Sequence, residues 1–388
     1  MLLTKSKLKL IKPEENSDYK MPTKVYFGRG GFSELAGILD KSKCIRVGLI
    51  AASHFKRRAE YQDFIKNLSN ATPFDYPERI ITSDFKTINE ATSFMRENKV
   101  DCIIAIGGGS VLDTAKCVAA LAKNDGLIEG YLQSKTKSLN GKGAFFIAVP
   151  TTSGTGSEVT PWATVWGSDD KKYSLSSSEF LFPDVALVDP ALTDSLPAYE
   201  TATSGIDALC QAIEAFWNVK HNPVSDSYAL ESIRVIIENL EAAVNNPVPS
   251  VRDEMAWGSL ASGLAFSNTQ TTLCHSVSYP ITIHWGVAHG QATSITLPLF
   301  IEYIVPVLDK DRREKLLKKI GSKTEHEAAE KIKNLMRAIN LKTRLSELGV
   351  PKDGLDTIIT EGFNPERAKN SPRISTPDEF KKMLETIY

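Results

Sequence analysis

The chain has 388 residues, 42% of them apolar and 24% charged, which excludes a lone mini-domain and a disordered chain and leaves room for two to three domains of roughly 150 residues. Forty-six Lys and Arg against 47 Asp and Glu give a formal charge of -1, so there is no basic field to hold a phosphate backbone and no nucleic-acid partner is expected. Five cysteines without a C-x-x-C pair fit free thiols in a reducing, cytoplasmic setting, and with neither a signal-peptide core nor a run of about 18 apolar residues, no membrane partner is expected.

In chain order, VYFG (25–28), IRVGLI (45–50), DCIIAIG (101–107), AFFIAVP (144–150) and VALVDP (185–190) read as strands. Three of them are unbroken apolar runs of the kind that parallel sheets bury on both faces. NEATSFMRENK (89–99) and SVLDTAKCVAALAK (110–123) carry helical spacing and supply crossovers, so this half is α/β. The cluster His54, Lys56, Arg57 and Arg58 after the second strand reads as a solvated surface. Beyond about residue 195 the strand signals stop. Leu230, Ile233, Ile237, Leu240 and Val244 fall at spacings of three and four, an apolar helix stripe that Pro247 and Pro249 end. IHWGVAHG, with His284, is expected to be a loop. The chain divides near Pro190 to Pro197, into 1–193 and a mostly helical 194–388.

Three places carry chemistry. The strand DCIIAIG runs into Gly107, Gly108, Gly109 and Ser110, then a helix. Backbone N–H groups at a helix N-terminus make an anion site suited to a pyrophosphate, although a tight turn without ligand has the same look. The second is PTTSGTGSEVT (150–160), where hydroxyls and glycines after a buried strand suit a cofactor's phosphates, ribose or amide, or else a turn that satisfies its own backbone. The third is Asp207 and Gln211, four apart on one helix face, with His275 and His289 further on. One carboxylate, two imidazoles and an amide oxygen offer a divalent metal three good ligands and one weak one, leaving positions for substrate. An accidental His pair in the core is the bland alternative. Cys210 and Cys274 adjoin these ligands and suit a soft metal or a small apolar core.

GGGSVLDTAK, PTTSGTGSEVT, PDVALVDPALTDSLP, SGIDAL and HSVSYPITIHWGVAHG, in this order over about residues 20–375, resemble the iron-containing (group III) alcohol dehydrogenase family. The resemblance implies a dehydroquinate synthase-like fold: a Rossmann-like parallel sheet in an N-terminal α/β dinucleotide-binding domain (1–193) and an all-α C-terminal metal-binding and substrate domain (194–388). It implies NAD(P)-dependent oxidation and reduction between a small alcohol and its aldehyde. Carried over, Gly107, Gly108, Gly109 and Ser110 match the pyrophosphate loop, and Thr151, Thr152 and Thr155 match a second nucleotide loop. Thr160 and Lys172 match further coenzyme contacts. Asp207, His275 and His289 match catalytic metal ligands, for Fe2+ or for Zn2+ or another divalent ion.

Three positions depart from the family pattern. Gln211 stands where members carry a histidine ligand, so weaker or altered metal binding is expected. Tyr279 replaces a histidine near the nicotinamide. Ser53 replaces an Asp that holds the ribose, which admits NADP if Lys56 or Arg57 meets its phosphate. TPWATVW, KKYSL and PDVALVDP look most like the branch that reduces phosphonoacetaldehyde to 2-hydroxyethylphosphonate, and Lys220, Arg367 and Arg373 are the cations available for a phosphonate. The alternatives are a general short-chain alcohol or aldehyde oxidoreductase, a non-redox dehydroquinate synthase-like lyase and a coenzyme-binding protein without turnover. A homodimer is expected by resemblance.

Overall fold

The structure, a computed structural model, describes residues 18–169, 171–374 and 376–388. The chain forms two compact units, Lys20–Leu196 and Pro197–Tyr388, with Asp18 and Tyr19 belonging to the second.

The first unit is built on a six-stranded parallel sheet. Its strands are β1 (Lys24–Phe27), β2 (Arg46–Ala51), β3 (Thr72–Asp75), β4 (Cys102–Gly107), β5 (Phe145–Pro150) and β8 (Val185–Val188), in the order β1-β8-β5-β4-β2-β3. The five predicted strands are β1, β2, β4, β5 and β8. Helices α1 (Leu35–Ser42) and α2 (Ala59–Lys66) cover one face. Helices α3 (Phe85–Glu97), α4 (Gly109–Leu121) and α5 (Ile128–Leu132) cover the other. Along β4, Ile103 and Ala105 enter the core under α3 and α4, and Cys102, Ile104 and Ile106 enter the core under α1 and α2. This period of two explains why the strand is apolar throughout, and each buried Ile contributes about 2–3 kcal/mol by leaving water.

In this unit strands β3, β6 (Trp162–Trp166) and β7 (Lys172–Ser176) and helices α1, α2 and α5 are absent from the sequence expectation. β3 is a half-buried edge strand of four residues containing Pro73, which needs no ladder donor at an edge. A separate antiparallel hairpin pairs β6 with β7. In the main sheet the strand order reverses between β2 and β4, so the carboxyl end of β4, where the glycine loop starts, borders the switch point at which open α/β sheets take ligands, and the threonine loop starts beside it at the end of β5.

The second unit is helical: α6 (Ala198–Trp217), α7 (Pro223–Asn245), α8 (Pro249–Thr269), α9 (Leu273–Trp285), α10 (His289–Ser294), α11 (Leu297–Ile304), α12 (Lys310–Ile320), α13 (Glu325–Ala338), α14 (Gly354–Gly362), α15 (Pro365–Ala368) and α16 (Pro377–Glu385). The predicted stripe lies on α7, where Ile233, Leu240 and Val244 are buried, and the helix stops just before Pro247. Asn222 starts it with a capping box, accepting from Val224 N and Ser225 N. The IHWGVAHG expectation is corrected. α9 runs on to Trp285 despite Pro280 inside it, because Val277 and Ile281 are fully buried on its inner face. Gly286, at φ +64, ends it. The loop is three residues long, and His284 on the helix pairs with Glu361 at 2.7 Å. Tyr19 stacks on Tyr228 and donates to Leu264 O at 3.0 Å. No helix among the described residues is long and apolar enough to cross a membrane, and all five cysteines are free.

Candidate metal centre and nucleotide loops

Helix α6 places Asp207, Gln211 and Glu214 at i, i+4 and i+7, one face of one helix. Helix α9 brings His275, and the first residue of α10 is His289. The approach of α10 to α6 is close enough to demand glycine: a Cβ on Gly290 would stand 1.8 Å from Thr203 O. Asp207, His275 and His289 each offer a ligand atom, all within 4.8 Å of one another. His275 Nε2 is 3.5 Å and His289 Nε2 3.9 Å from Asp207 Oδ1. Asp207 and His275 are buried, whereas the His289 side chain keeps 34% of its exposure and leaves the cluster open on one side.

Glu214 gives no signal of its own in the sequence beyond its place on that helix face. It is fully buried, and its Oε1 accepts from Thr272 N at 3.1 Å, Thr272 Oγ1 at 2.6 Å and Cys274 N at 2.8 Å. Oε2 takes the Nδ1–H of His275. That bond fixes the tautomer and leaves the lone pair on Nε2, a buried atom with no hydrogen-bond partner among the described residues. Ser278 does the same for His289. Its hydroxyl donates to His275 O at 2.7 Å, so its oxygen, 3.3 Å from His289 Nδ1, accepts from that ring. Thr293 Oγ1 donates to Asp207 Oδ1 at 3.2 Å. Burial opposes a charge on His275, but the Glu214 and Asp207 carboxylates outweigh it and lift its pKa to about 9. Burial also raises the Asp207 carboxyl, and the two imidazoles override it to hold the group below its ordinary range. An orphaned buried nitrogen, a second imidazole of fixed tautomer and a carboxylate, in a field that favours positive charge, fit a divalent cation with coordination positions left over.

Gln211 is used otherwise than as an oxygen ligand. Its Nε2 donates to Asp207 Oδ2 at 2.9 Å and its Oε1 accepts from Ser262 Oγ at 3.4 Å. A carboxylate facing an amide requires the N–H end, so the expected carbonyl donor faces a hydroxyl instead. Cys210 and Cys274 are buried, and burial pushes both thiols well above their ordinary pKa, which makes them core side chains rather than thiolate ligands. The Tyr279 ring stacks on His289 at 6.2 Å, and the Arg367 guanidinium lies 5.4 Å from the Tyr279 ring. Arg373 packs on Tyr303 and donates to its carbonyl, and Lys220 follows the end of α6.

In the α/β unit, Gly107, Gly108 and Gly109 turn from β4 into α4, with exposed Ser110 in the first helical turn. A Cβ on Gly109 would stand 2.7 Å from Thr155 Cγ2, and one on Gly108 3.3 Å from Thr152 Cγ2. The two predicted nucleotide loops therefore pack on each other, and Thr151 N donates to Gly107 O at 3.0 Å. Thr160, expected at the coenzyme, is 1% exposed and turned inward to Lys116. Lys116 Nζ, fully buried, meets Ser157 O, Ser157 Oγ, Thr160 O, Thr160 Oγ1 and Trp162 O at 2.7–3.3 Å. Asp113, one turn back on α4, accepts from Ser157 Oγ and Thr164 N. Lys172 sits on β7 opposite Trp166, its ammonium 5.7 Å from that ring. Of the two cations near Ser53, Lys56 pairs with Asp75 at 2.6 Å, and Arg57 is exposed.

A parallel sheet with a glycine turn into a helix, followed by a helical unit with a carboxylate and two oriented imidazoles, defines a metal-dependent protein of the nucleotide-binding α/β class. The comparisons narrow this: the chain belongs to the iron-containing alcohol dehydrogenase family, residues 22–190 matching iron-containing alcohol dehydrogenase and residues 201–388 the Fe-containing alcohol dehydrogenase family, C-terminal. It is 34% identical to long-chain-alcohol dehydrogenase 1 of Geobacillus thermodenitrificans over 75% of this chain and 76% of that protein. It is 28% identical to NADPH-dependent butanol dehydrogenase of Clostridium saccharobutylicum over 95% and 97%. Among solved structures, sulfoacetaldehyde reductase from Bifidobacterium kashiwanohense in complex with NAD+ superposes with a TM-score of 0.90 at 30% identity, covering 96% of this chain and 99% of that one. The protein is an NAD-dependent oxidoreductase of the alcohol dehydrogenase type.

Proposed function

We propose that the protein is a metal-dependent aldehyde reductase that uses NADH or NADPH, takes Fe2+ as its metal, works as a cytoplasmic homodimer and reduces phosphonoacetaldehyde to 2-hydroxyethylphosphonate. The observation that carries the chemistry is the buried, unpartnered His275 Nε2 beside Asp207 and His289. When bound, the metal polarises the carbonyl oxygen and the nicotinamide supplies the hydride. Asp207, His275 and His289 would hold the metal; Zn2+ suits the same donors.

The chain's own groups do the rest. Glu214 and Ser278 keep the two imidazoles in the ligating tautomer, and Gln211 with Thr293 keeps both Asp207 oxygens hydrogen-bonded. Burial raises the Tyr279 phenol above its ordinary pKa, so it holds its proton beside His289, where the departing family histidine would act. Gly107, Gly108, Gly109 and Ser110 offer backbone N–H groups at the start of α4 to the coenzyme pyrophosphate, with Thr151, Thr152 and Thr155 packed against them. Lys172 on the hairpin is a further coenzyme contact. Thr160 serves through Lys116, which clamps α4 to the threonine loop.

The likeness to a butanol and a long-chain-alcohol dehydrogenase supports a second reading, an oxidoreductase of plain aldehydes. Loss of nicotinamide absorbance by anaerobically iron-loaded protein, with NADH or NADPH and equal concentrations of phosphonoacetaldehyde, butanal or lactaldehyde, decides between them. A large preference for phosphonoacetaldehyde is the expected result. Equal or faster turnover of the plain aldehydes overturns that substrate, and silence on all three overturns the reductase reading.

A further inference from the structure

Arg367 lies on α15, in the turn that follows α14. This turn is fastened to α9 one residue past His275: Ser276 Oγ donates to Gly362 O and accepts from Asn364 N at 3.2 Å. The guanidinium is half-buried. It donates to Thr271 Oγ1 and lies over the Tyr279 ring, whose other neighbour in the stack is His289. It therefore stands two side chains from a metal ligand.

Among the half-buried arginines, Arg312 is paired with Asp226, Arg313 with Glu325, Arg234 with Glu231 and Glu238, and Arg58 with Glu60, while Arg46, Arg96 and Arg373 donate to backbone carbonyls. Arg367 has no carboxylate partner among the described residues; its polar contact is a neutral hydroxyl. A guanidinium has five N–H donors in a planar fork matched to an oxyanion, so one hydroxyl leaves most of them unused. The local charges also add up in one direction. Asp207 and Glu214 balance a divalent cation, and Arg367 then leaves one positive charge beside the cluster, which favours an anionic substrate over a neutral one.

We infer that Arg367 is the specificity-determining residue of this site, receiving an anionic group at the far end of the substrate, so that the aldehydes preferred are those bearing a phosphonate or sulfonate next to the carbonyl. The inference rests on the aldehyde-reductase reading and adds the recognition element. No bond is made or broken at Arg367.

The test compares kcat/KM for phosphonoacetaldehyde with that for butanal in the metal-loaded enzyme and in its Arg367→Met and Arg367→Lys variants. In Arg367→Met the ratio falls roughly 10- to 100-fold, mainly through KM for the anionic substrate, because a charge-assisted pair formed in both ground and transition state is lost. Arg367→Lys keeps the charge without the fork and recovers part of the ratio. Phosphonoacetate binding to the NAD+-loaded enzyme, measured by calorimetry, weakens in the same order and carries the comparison without turnover. A wild-type preference for the anion with an unchanged ratio in Arg367→Met overturns the role of Arg367, as does a loss that falls equally on both substrates. A wild-type enzyme that reduces butanal as well as phosphonoacetaldehyde and binds no phosphonoacetate overturns the substrate class and leaves the reductase standing. Failure to oxidise NADH or NADPH with any aldehyde, with phosphonoacetate still bound through Arg367, overturns the reductase reading alone.

Discussion

Residue by residue, the metal centre depends on which end of each side chain faces inward. Glu214 holds the Nδ1–H of His275, so Glu214→Gln sets an amide against that proton and favours the other tautomer, which carries its hydrogen on Nε2. Metal affinity, read by chelator competition, is expected to fall about 10- to 100-fold with NAD+ binding retained. An unchanged affinity would show that the Glu214 carboxylate does not set the His275 tautomer. Gln211→His supplies an imidazole next to Asp207 in place of the amide that now donates to Oδ2, and roughly tenfold tighter metal binding is expected from a fourth nitrogen ligand. No gain in that variant would mean that the Asp207 carboxylate needs the amide donor more than the metal needs the nitrogen. The Asp207, His275 and His289 set is read from the family resemblance of SGIDAL and HSVSYPITIHWGVAHG, since with 47 carboxylates and six histidines in the chain spacing alone leaves an accidental pair open. The orientation of Gln211 was not legible, since an amide presents either end and only a neighbouring charge chooses. Glu214 was hidden for another reason: a glutamate on an amphipathic helix reads as solvent-facing until four donors are seen around it.

At the scale of elements, strands β4 and β5 were legible because burial on both faces leaves no polar alternation to confuse the pattern. The short β3 edge and the β6–β7 hairpin were not: half-buried residues satisfy strand and loop equally well. α9 shows packing overriding propensity, with its buried face carrying the helix past Pro280. Helix placement, in turn, sets the site. Gly290 lets α10 touch the backbone of α6 at Thr203. Gly290→Ala must push the two helices apart, moving His289 from Asp207, at an overpacking cost of about 1–3 kcal/mol. A lowered Tm together with reduced metal content is the expected outcome; wild-type metal content in a destabilised variant would separate packing from ligand placement. The glycine and threonine loops are joined likewise, by the contact of Gly109 with Thr155 and by Lys116, whose pKa burial lowers to about 8.

For the whole molecule, buried ionisable groups tie stability to pH. Burial raises the Glu158 carboxyl from 4.5 to about 7. Between these values the folded protein binds more protons than the unfolded chain, so this group's contribution declines as pH rises through the window and stays unfavourable above it. Glu158→Gln is therefore expected to raise Tm at pH 8 by several degrees and to differ little from wild type near pH 5, which a calorimetric pH series would show. A shift of equal size at both pH values would trace to packing instead. The two units divide at Leu196 and Pro197, and the place of Tyr19 in the second of them leaves no sequence signal, because a single aromatic in a polar segment has no period. Its docking has a consequence for how the protein is made. The stretch Lys20–Leu196 is one uninterrupted run of chain, whereas Tyr19 bonds to Leu264 across 245 residues. On the ribosome, every strand of the sheet is synthesised before Asp207, His275 and His289, and Tyr19 must wait for α7 and α8 before it meets Tyr228 and Leu264. Vectorial synthesis thus orders the two halves in time, the glycine turn being complete before the residues of the Asp207 cluster exist.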